Sequence, residues 1–587
     1  MRRGNSATAA AGLALVLAAS ALAACSRNTG EQGGEGGQVR QRTGAIATDP
    51  EDSQGPAAEV PGATRGGTLR LLYESDFEHL DPQRTYTAHA MSIQHLIVRT
   101  LTQFREDGEG RLTLIGDLAE TPGKDVDGDC RTWEYTLKKG VRYEDGTEVR
   151  AVDVAYGIAR SFEESIDGGA TYIQEWLADS PSYNSRYRGP YTSGSADVPG
   201  LTVDGDHGLR FTFKRPRCDL PFALALPTSA PVPAARDTKT DYDRRIFSSG
   251  PYKIKEYTRD TRLVLERNEH WDAKTDPLRH DYLDKVIVEM GPDATAQTER
   301  VLAGSGDDAT AIAWDDVPQS LVKQVLGGDR SIKDRTNHVP GPFVYVLSIN
   351  NERIKDLNIR RAIGCALDKQ GILLTQGGEA VGKLTNTLLA DTIIGWVGYP
   401  DPTGCGPNGD PQRARQLLGD QKIKLVFMSR TGEFGQKTAP VVEESLEKAG
   451  FEVVVQYVDR ARHNPIARTR GNHYDIYLSN WGADWPSGAA TIPALYDGRK
   501  LGPQGNSNVS YFNADDVNAE IDKAAALPAA QAGPAWAKID QMIQEKYYPV
   551  VPIFQAKHLA VMGAKVGGVF VSDTYGTEML YNAYIKQ

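Results

Sequence analysis

Past its first 24 residues the chain has no apolar run long enough to cross a bilayer, which excludes a polytopic membrane protein. It has no excess of positive charge. Against 77 Asp and Glu stand 66 Lys and Arg, a formal charge of -11, so no basic face for nucleic acid is expected. Catalytic signatures are missing too. There is no Gly-x-Ser-x-Gly elbow, since Gly505-Asn506-Ser507-Asn508-Val509 lacks the last glycine, and no His-Glu-x-x-His, P-loop or Cys-x-x-Cys. The 10 histidines are scattered, the closest pair being His89 and His95, so no local metal site is read and neither metal nor cofactor is expected. Repeats and a charged low-complexity body are absent, which argues against a structural wall protein.

The N-terminus is the most readable stretch. Arg2 and Arg3 precede an Ala- and Leu-rich segment over residues 9–24, too short for a comfortable membrane span and placed as an export signal. The pair is not followed by the apolar residues a twin-arginine signal carries. Leu22-Ala23-Ala24-Cys25 resembles the bacterial lipobox. That resemblance implies cleavage before Cys25 and acylation there, and two or more acyl chains on one residue suffice for stable anchoring. The alternative is an ordinary secretory signal with a coincidental cysteine. Residues 25–65 follow as an expected flexible tether, because they are rich in Gly, Gln, Glu, Ala and Pro and hold no aromatic side chain.

A length of 587 residues calls for two or three domains. Order is expected from Gly67 onward. Trp133, Tyr135 and Leu137 alternate with polar residues, as do Leu209, Phe211 and Phe213, so both segments read as half-buried strands. Four cysteines remain besides Cys25, and outside the cytoplasm they can form two disulfides in three pairings. Cys130 precedes the first strand and Cys218 follows the second. Antiparallel pairing brings those ends together, which favours Cys130–Cys218 and leaves Cys365–Cys405. Asp125-Val126-Asp127-Gly128-Asp129 has calcium-loop spacing, but Thr136 stands where an EF-hand needs Glu, so a turn into the strand is the better reading.

Farther on, residues 422–429 read as a strand, 438–448 as a helix with Pro440 in its first turn, and 451–458 as a second strand. A βαβ unit of this kind calls for a parallel sheet and an α/β lobe. Another strand, over 474–478, leads into Ser479-Asn480-Trp481-Gly482-Ala483-Asp484-Trp485-Pro486. Ligands of open α/β sheets sit beyond the carboxyl ends of strands. Trp481 and Trp485 can therefore wall an apolar pocket and Asp484 can accept a hydrogen bond from a cation. The same residues also fit a plain role, two core tryptophans and a capping acid.

Taken in order, several motifs carry a resemblance across nearly the whole chain: Leu80-Asp81-Pro82, Tyr135-Thr136-Leu137-Lys138-Lys139-Gly140-Val141, Asp145-Gly146-Thr147, Ser249-Gly250-Pro251-Tyr252, Ile359-Arg360-Arg361-Ala362-Ile363 and Trp481-Gly482-Ala483-Asp484. The chain resembles the extracytoplasmic solute-binding proteins that serve oligopeptide and dipeptide ABC importers. The resemblance implies a two-lobed, periplasmic-binding-protein-like α/β clamp with a discontinuous first lobe. Residues 66–340 would form lobe I with an inserted subdomain, 341–510 lobe II, and 511–587 the return to lobe I, with crossovers near 339–343 and 505–513. It also implies that Asp484 pairs with a peptide's amino terminus, that the partner is an ABC permease, and that the protein is a lipid-anchored monomer on the extracytoplasmic face. Trp485-Pro486-Ser487-Gly488 departs from the family's usual aromatic-Pro-Asp-Pro run. A non-peptide solute (metal chelate, haem, sugar or opine), a signalling-peptide receptor and a secreted hydrolase are the other readings.

Overall fold

The computed structural model describes residues 43–106 and 111–587. Cys25 and the signal segment lie outside the described residues, as does the tether up to residue 42. The rest of the expected tether is not a tether. From Thr43 the chain is folded onto the body: strand β1 (Thr43–Ile46) adds in parallel to Arg111–Gly116, with Ala45 opposite Thr113. Ser53 is fully buried and its hydroxyl accepts from the Gly116 N–H at 2.9 Å. The Tyr282 hydroxyl donates to Glu59 at 2.7 Å, and Thr64 donates to the Ile585 carbonyl at 2.7 Å. A low-aromatic composition signals the lack of an independent core. It does not forbid a segment from completing the edge of another sheet, where backbone hydrogen bonds hold it.

The first lobe is built on a five-stranded sheet. β2 (Thr68–Tyr73) supplies Leu69, Leu71 and Leu72, all fully buried. Alternating residues of β3 (Thr132–Thr136) and β4 (Gly208–Thr212) form the antiparallel pair of a smaller, four-stranded sheet, with Trp133 opposite Phe211 and Tyr135 opposite Leu209. That register puts the apolar side chains of both strands on one face. Cys130 and Cys218, at adjoining ends of the pair, are joined with S–S 2.07 Å, and Cys365 joins Cys405. The acidic stretch before β3 is a turn: the Asp125 carboxylate accepts from the N–H groups of Gly128 at 3.1 Å and Cys130 at 2.9 Å. The larger sheet continues with β5 (Tyr252–Thr258), β6 (Arg262–Arg267), β7 (Lys285–Met290) and β8 (Ala311–Ala313), in the order β8-β2-β7-β6-β5.

The second lobe carries a mixed six-stranded sheet. Its members are β9 (Thr336–Ile349), β10 (Gly382–Leu384), β11 (Lys424–Arg430), β12 (Glu452–Val458), β13 (Ile476–Gly482) and β14 (Val550–Val561), in the order β10-β14-β9-β13-β11-β12. Leu425 and Phe427 are fully buried, each contributing about 1.5–3 kcal/mol of burial. β11 and β12 are parallel, as a βαβ unit requires, with Leu425 opposite Val453. The connecting helix α1 (Glu433–Lys448) starts five residues earlier than the sequence reading and holds Pro440 in its interior. What hid the extra turn is Gly435, a poor helix former. Here glycine is required, because a Cβ would lie 2.0 Å from the Arg430 carbonyl oxygen.

β9 and β14 run antiparallel through both lobes. Leu347, Ile349, Val551 and Ile553 belong to the second lobe's core, whereas Leu559 and Val561 pack with Leu72 and Ala313 of the first. Their register slips between Pro340 and Val344. The boundary expected at residue 340 therefore falls inside a strand. The C-terminal segment, expected over 511–587 as the return to lobe I, also supplies β14 to the sheet of lobe II. β14 passes between the two cores through Gln555-Ala556-Lys557-His558, where burial is interrupted, and β9 does so at Pro340-Gly341-Pro342.

Candidate functional site

A cavity of about 440 Å³ lies against the ends of β9, β13 and β14 and the loops that face them. β13 continues past its expected end at Leu478 to Gly482, so Trp481 is a strand residue, paired with Val344, and Gly482 pairs with Phe343. A Cβ on Gly482 would lie 2.7 Å from the Phe343 ring, so glycine lets that ring close over the strand. Phe343, Tyr345, Phe434 and Trp481 give the cavity an aromatic wall, in which Tyr345 stacks on Phe554 with centroids 4.6 Å apart. The Trp481 indole N–H is held by the Ala490 carbonyl at 3.2 Å. Tyr86 and Tyr575 enter from the first lobe.

Asp484 follows β13 by two residues and lines the cavity, half-buried. Its Oδ2 accepts from the Tyr86 hydroxyl at 2.8 Å and from the Tyr172 hydroxyl. Tyr172 begins helix α2 (Tyr172–Ala178) of the first lobe. Oδ1 accepts nothing from the described residues, and no cation among them pairs with the carboxylate. Burial pushes the Asp484 carboxyl up to about 6, outweighing the two hydroxyl donors that favour its charge. The phenols of Tyr86 and Tyr172 are held far above their ordinary pKa by burial and by the neighbouring Asp484, so both stay donors. The site thus presents a desolvated acid with one oxygen tied to neutral donors and the other unclaimed. Such a group gains most from a cation that brings its own charge-assisted hydrogen bonds.

Trp485 was expected beside Trp481 as a pocket wall, and the structure corrects this. It is fully buried, its indole N–H donates to Asp219 at 2.9 Å, and its ring meets Tyr172 edge-on with centroids 4.6 Å apart. Its place is behind the pocket, locking the loop that carries Asp484 onto the first lobe. Trp481 and Asp484 share the cavity; Trp485 does not. Adjacent loop residues readily point to opposite sides, and sequence spacing alone could not assign which tryptophan faces the cavity. Sequence reasoning also missed Tyr86, Tyr172 and Asp219. None sits in a local motif, and Tyr86 and Asp484 are 398 residues apart.

Several other polar groups of the cavity are engaged within the protein. The hydroxyls of Ser348 and Ser479 bond each other at 2.7 Å across β9 and β13. The Arg430 guanidinium lies 4.7 Å over the Phe434 ring. Burial lowers the pKa of His463, leaving a neutral imidazole.

Comparison with known proteins places this geometry. A family profile described as bacterial extracellular solute-binding proteins, family 5 (middle), matches residues 113–502. The periplasmic oligopeptide-binding protein OppA of Escherichia coli (strain K12) is 22% identical over 556 residues, which span 90% of this chain and 95% of OppA. Among solved structures, the clavulanic acid biosynthesis oligopeptide binding protein 2 superposes with TM-score 0.82 at 29% identity, covering 92% of this chain and all of that one. The oligopeptide-binding protein AppA from Bacillus subtilis, in complex with a nonapeptide, superposes with TM-score 0.67 at 18% identity over 89% of this chain and all of AppA. The chain belongs to the family 5 bacterial extracellular solute-binding proteins, a family of transport rather than catalytic function, and its fold is their two-lobed α/β clamp.

Proposed function

We propose that this family 5 solute-binding protein captures short peptides by their free amino terminus and delivers them to an ABC permease. One observation carries the reading: the half-buried Asp484 carboxylate faces the cavity with Oδ1 unclaimed and no cation paired with it among the described residues. An α-ammonium supplies the missing charge and donors, while the aromatic wall of Phe343, Tyr345 and Trp481 accepts side chains of varied shape. A cavity of about 440 Å³ suits a ligand of a few residues. Relatives named for oligopeptide binding support the same class.

In this reading the two lobes close about β9 and β14, and Tyr86 and Tyr172 of the first lobe reach Asp484 in the closed form. Cys25 carries the lipid anchor, the stretch between it and Thr43 is the tether, and a monomer works at the extracytoplasmic face of the membrane. The tether is then at most the interval from Cys25 to Gln41-Arg42, shorter than composition suggests.

The test is calorimetric titration with a peptide and its N-acetylated twin. Acetylation should weaken binding about 10- to 100-fold, the worth of one charge-assisted hydrogen bond. Equal affinities would refute the amino-terminal role of Asp484. Native mass spectrometry of protein purified without denaturation should show bound peptides, whereas a co-purified sugar or metal chelate would overturn the ligand class.

A further inference from the structure

We propose that the chain holds a second ligand site, behind the Asp484 loop, that takes a small amphipathic carboxylate on Arg217 and Trp176. A cavity of about 510 Å³ lies there, within the range of small-molecule sites. It shares no lining residue with the cavity that holds Asp484. The partition is Tyr172, which lines the second cavity and donates to Asp484 in the first, with Trp485 packed edge-on against its ring. Binding at this second site does not depend on the peptide reading above.

One wall is α2 together with residues 215–219, and the other is α3 (Ile492–Tyr496) with α4 (Asp515–Ala525). Trp176, Pro216, Pro493, Ile521 and Ala525 give the cavity an apolar surface. The charged groups around that surface mostly answer one another. Arg499 is paired with Asp497 at 2.8 Å and with Asp522 at 2.6 Å, Lys500 with Glu175 at 3.2 Å, and Arg215 with Asp179 at 3.0 Å. Asp219 accepts from the Trp485 indole.

Arg217 is the exception. Its guanidinium makes no hydrogen bond to any described residue, and the acid it approaches is Asp179, at 4.0 Å, through the same oxygen that Arg215 already holds. The side chain is only 21% exposed, and Nε is buried without a partner. One face of the guanidinium lies over the Trp176 ring, 5.4 Å from its centroid. Its stem is fixed: the Arg217 N–H donates to the Cys130 carbonyl at 2.7 Å, and the next residue, Cys218, is bridged to Cys130. Burial and the neighbouring Arg215 push the pKa of Arg217 down to about 10, against the pull of Asp179 and Glu175. A buried cation with no hydrogen-bonded counterion gains most from an anion that brings two acceptors in one plane, which is the geometry of a carboxylate. The apolar surface beside it sets the rest of the ligand, a hydrocarbon or aromatic body small enough for the cavity.

Titration calorimetry of the full chain with hydrocinnamate and with its neutral twin, hydrocinnamide, tests the assignment. The acid should bind about 10- to 100-fold more tightly than the amide, the worth of a charge-assisted hydrogen bond. Arg217→Gln should erase that preference, and Arg217→Lys should keep part of it. Ala494→Trp fills the cavity while leaving Arg217 in place, and it should abolish binding of both compounds. That variant keeps the location testable should Arg217→Gln fold poorly. Equal affinity for acid and amide, a preference that survives Arg217→Gln, or wild-type binding by Ala494→Trp would each overturn the second site. So would the absence of saturable binding by the acid.

Discussion

Replacing Asp484 with Asn should raise the stability of the empty protein while it weakens peptide binding, and should remove a pH dependence that the wild type shows. The carboxyl titrates at about 6, displaced upward by burial. An ammonium ligand needs the ionised form. Nine-tenths of the acid is ionised at pH 7 and about one-tenth at pH 5, so affinity should fall about tenfold between them, or about 1.3 kcal/mol. Above about pH 8 the peptide's own amino group discharges, so binding is strongest between roughly 6 and 8. The stability argument runs the other way. A carboxyl whose folded pKa lies above its unfolded value costs stability as pH rises from about 4 to about 6, and the cost stays constant above that. The rise of the carboxyl pKa from about 4 to about 6 sets an upper bound near 3 kcal/mol at pH 7, and solvent in the open cavity reduces it towards about 1 kcal/mol. Asp484→Asn should therefore gain about 1 kcal/mol in urea unfolding and lose about 1.5–3 kcal/mol in binding. Calorimetry from pH 5 to 7.5, alongside urea titrations of both proteins, reads each quantity. Affinity that is level across this range in the wild type, or that falls equally in Asp484→Asn, would refute the assignment of the ammonium to this residue.

Trp485→Ala should cost about 3–5 kcal/mol of stability in urea unfolding, since it empties a fully buried site and strips Asp219 of its indole donor. Trp485→Phe keeps most of the volume and should cost clearly less; equal losses would mean that the hydrogen bond, not packing, dominates. His558 lies buried on β14 between Glu578, at 2.8 Å from Nε2, and Asp316, at 2.9 Å from Nδ1. Burial alone would discharge it, but the two carboxylates prevail and hold its pKa well above the ordinary value. Its contribution is complete below about pH 6.5 and is lost as pH rises through the raised folded pKa. Wild-type stability should thus decline above pH 6.5 by up to about 1.4 kcal/mol per unit, a slope that His558→Gln should lack in unfolding measured from pH 6 to 9.

Much of the fold is local and was legible for that reason. The two-residue alternation around Trp133 and Phe211 marks strands because only one face of their sheet is buried. The 422–458 stretch marks a βαβ unit because its strands and helix are contiguous. Element ends were less secure: Gly435 concealed the first turn of α1, and β13 outran its expected end because Trp481 and Gly482 pair with Val344 and Phe343. The folded course of residues 43–65 was hidden by a composition that cannot build a core but can complete one.

By itself the sequence determined the family and the α/β class and pointed to Trp481-Gly482-Ala483-Asp484 as a candidate site, since these depend on residue types at short spacing. Only the tertiary structure decided which tryptophan of that segment faces the cavity and that Tyr86 and Tyr172 converge on one oxygen of Asp484. Those facts follow from contacts between residues hundreds of positions apart. Loop direction and burial create such contacts, and no local pattern encodes them.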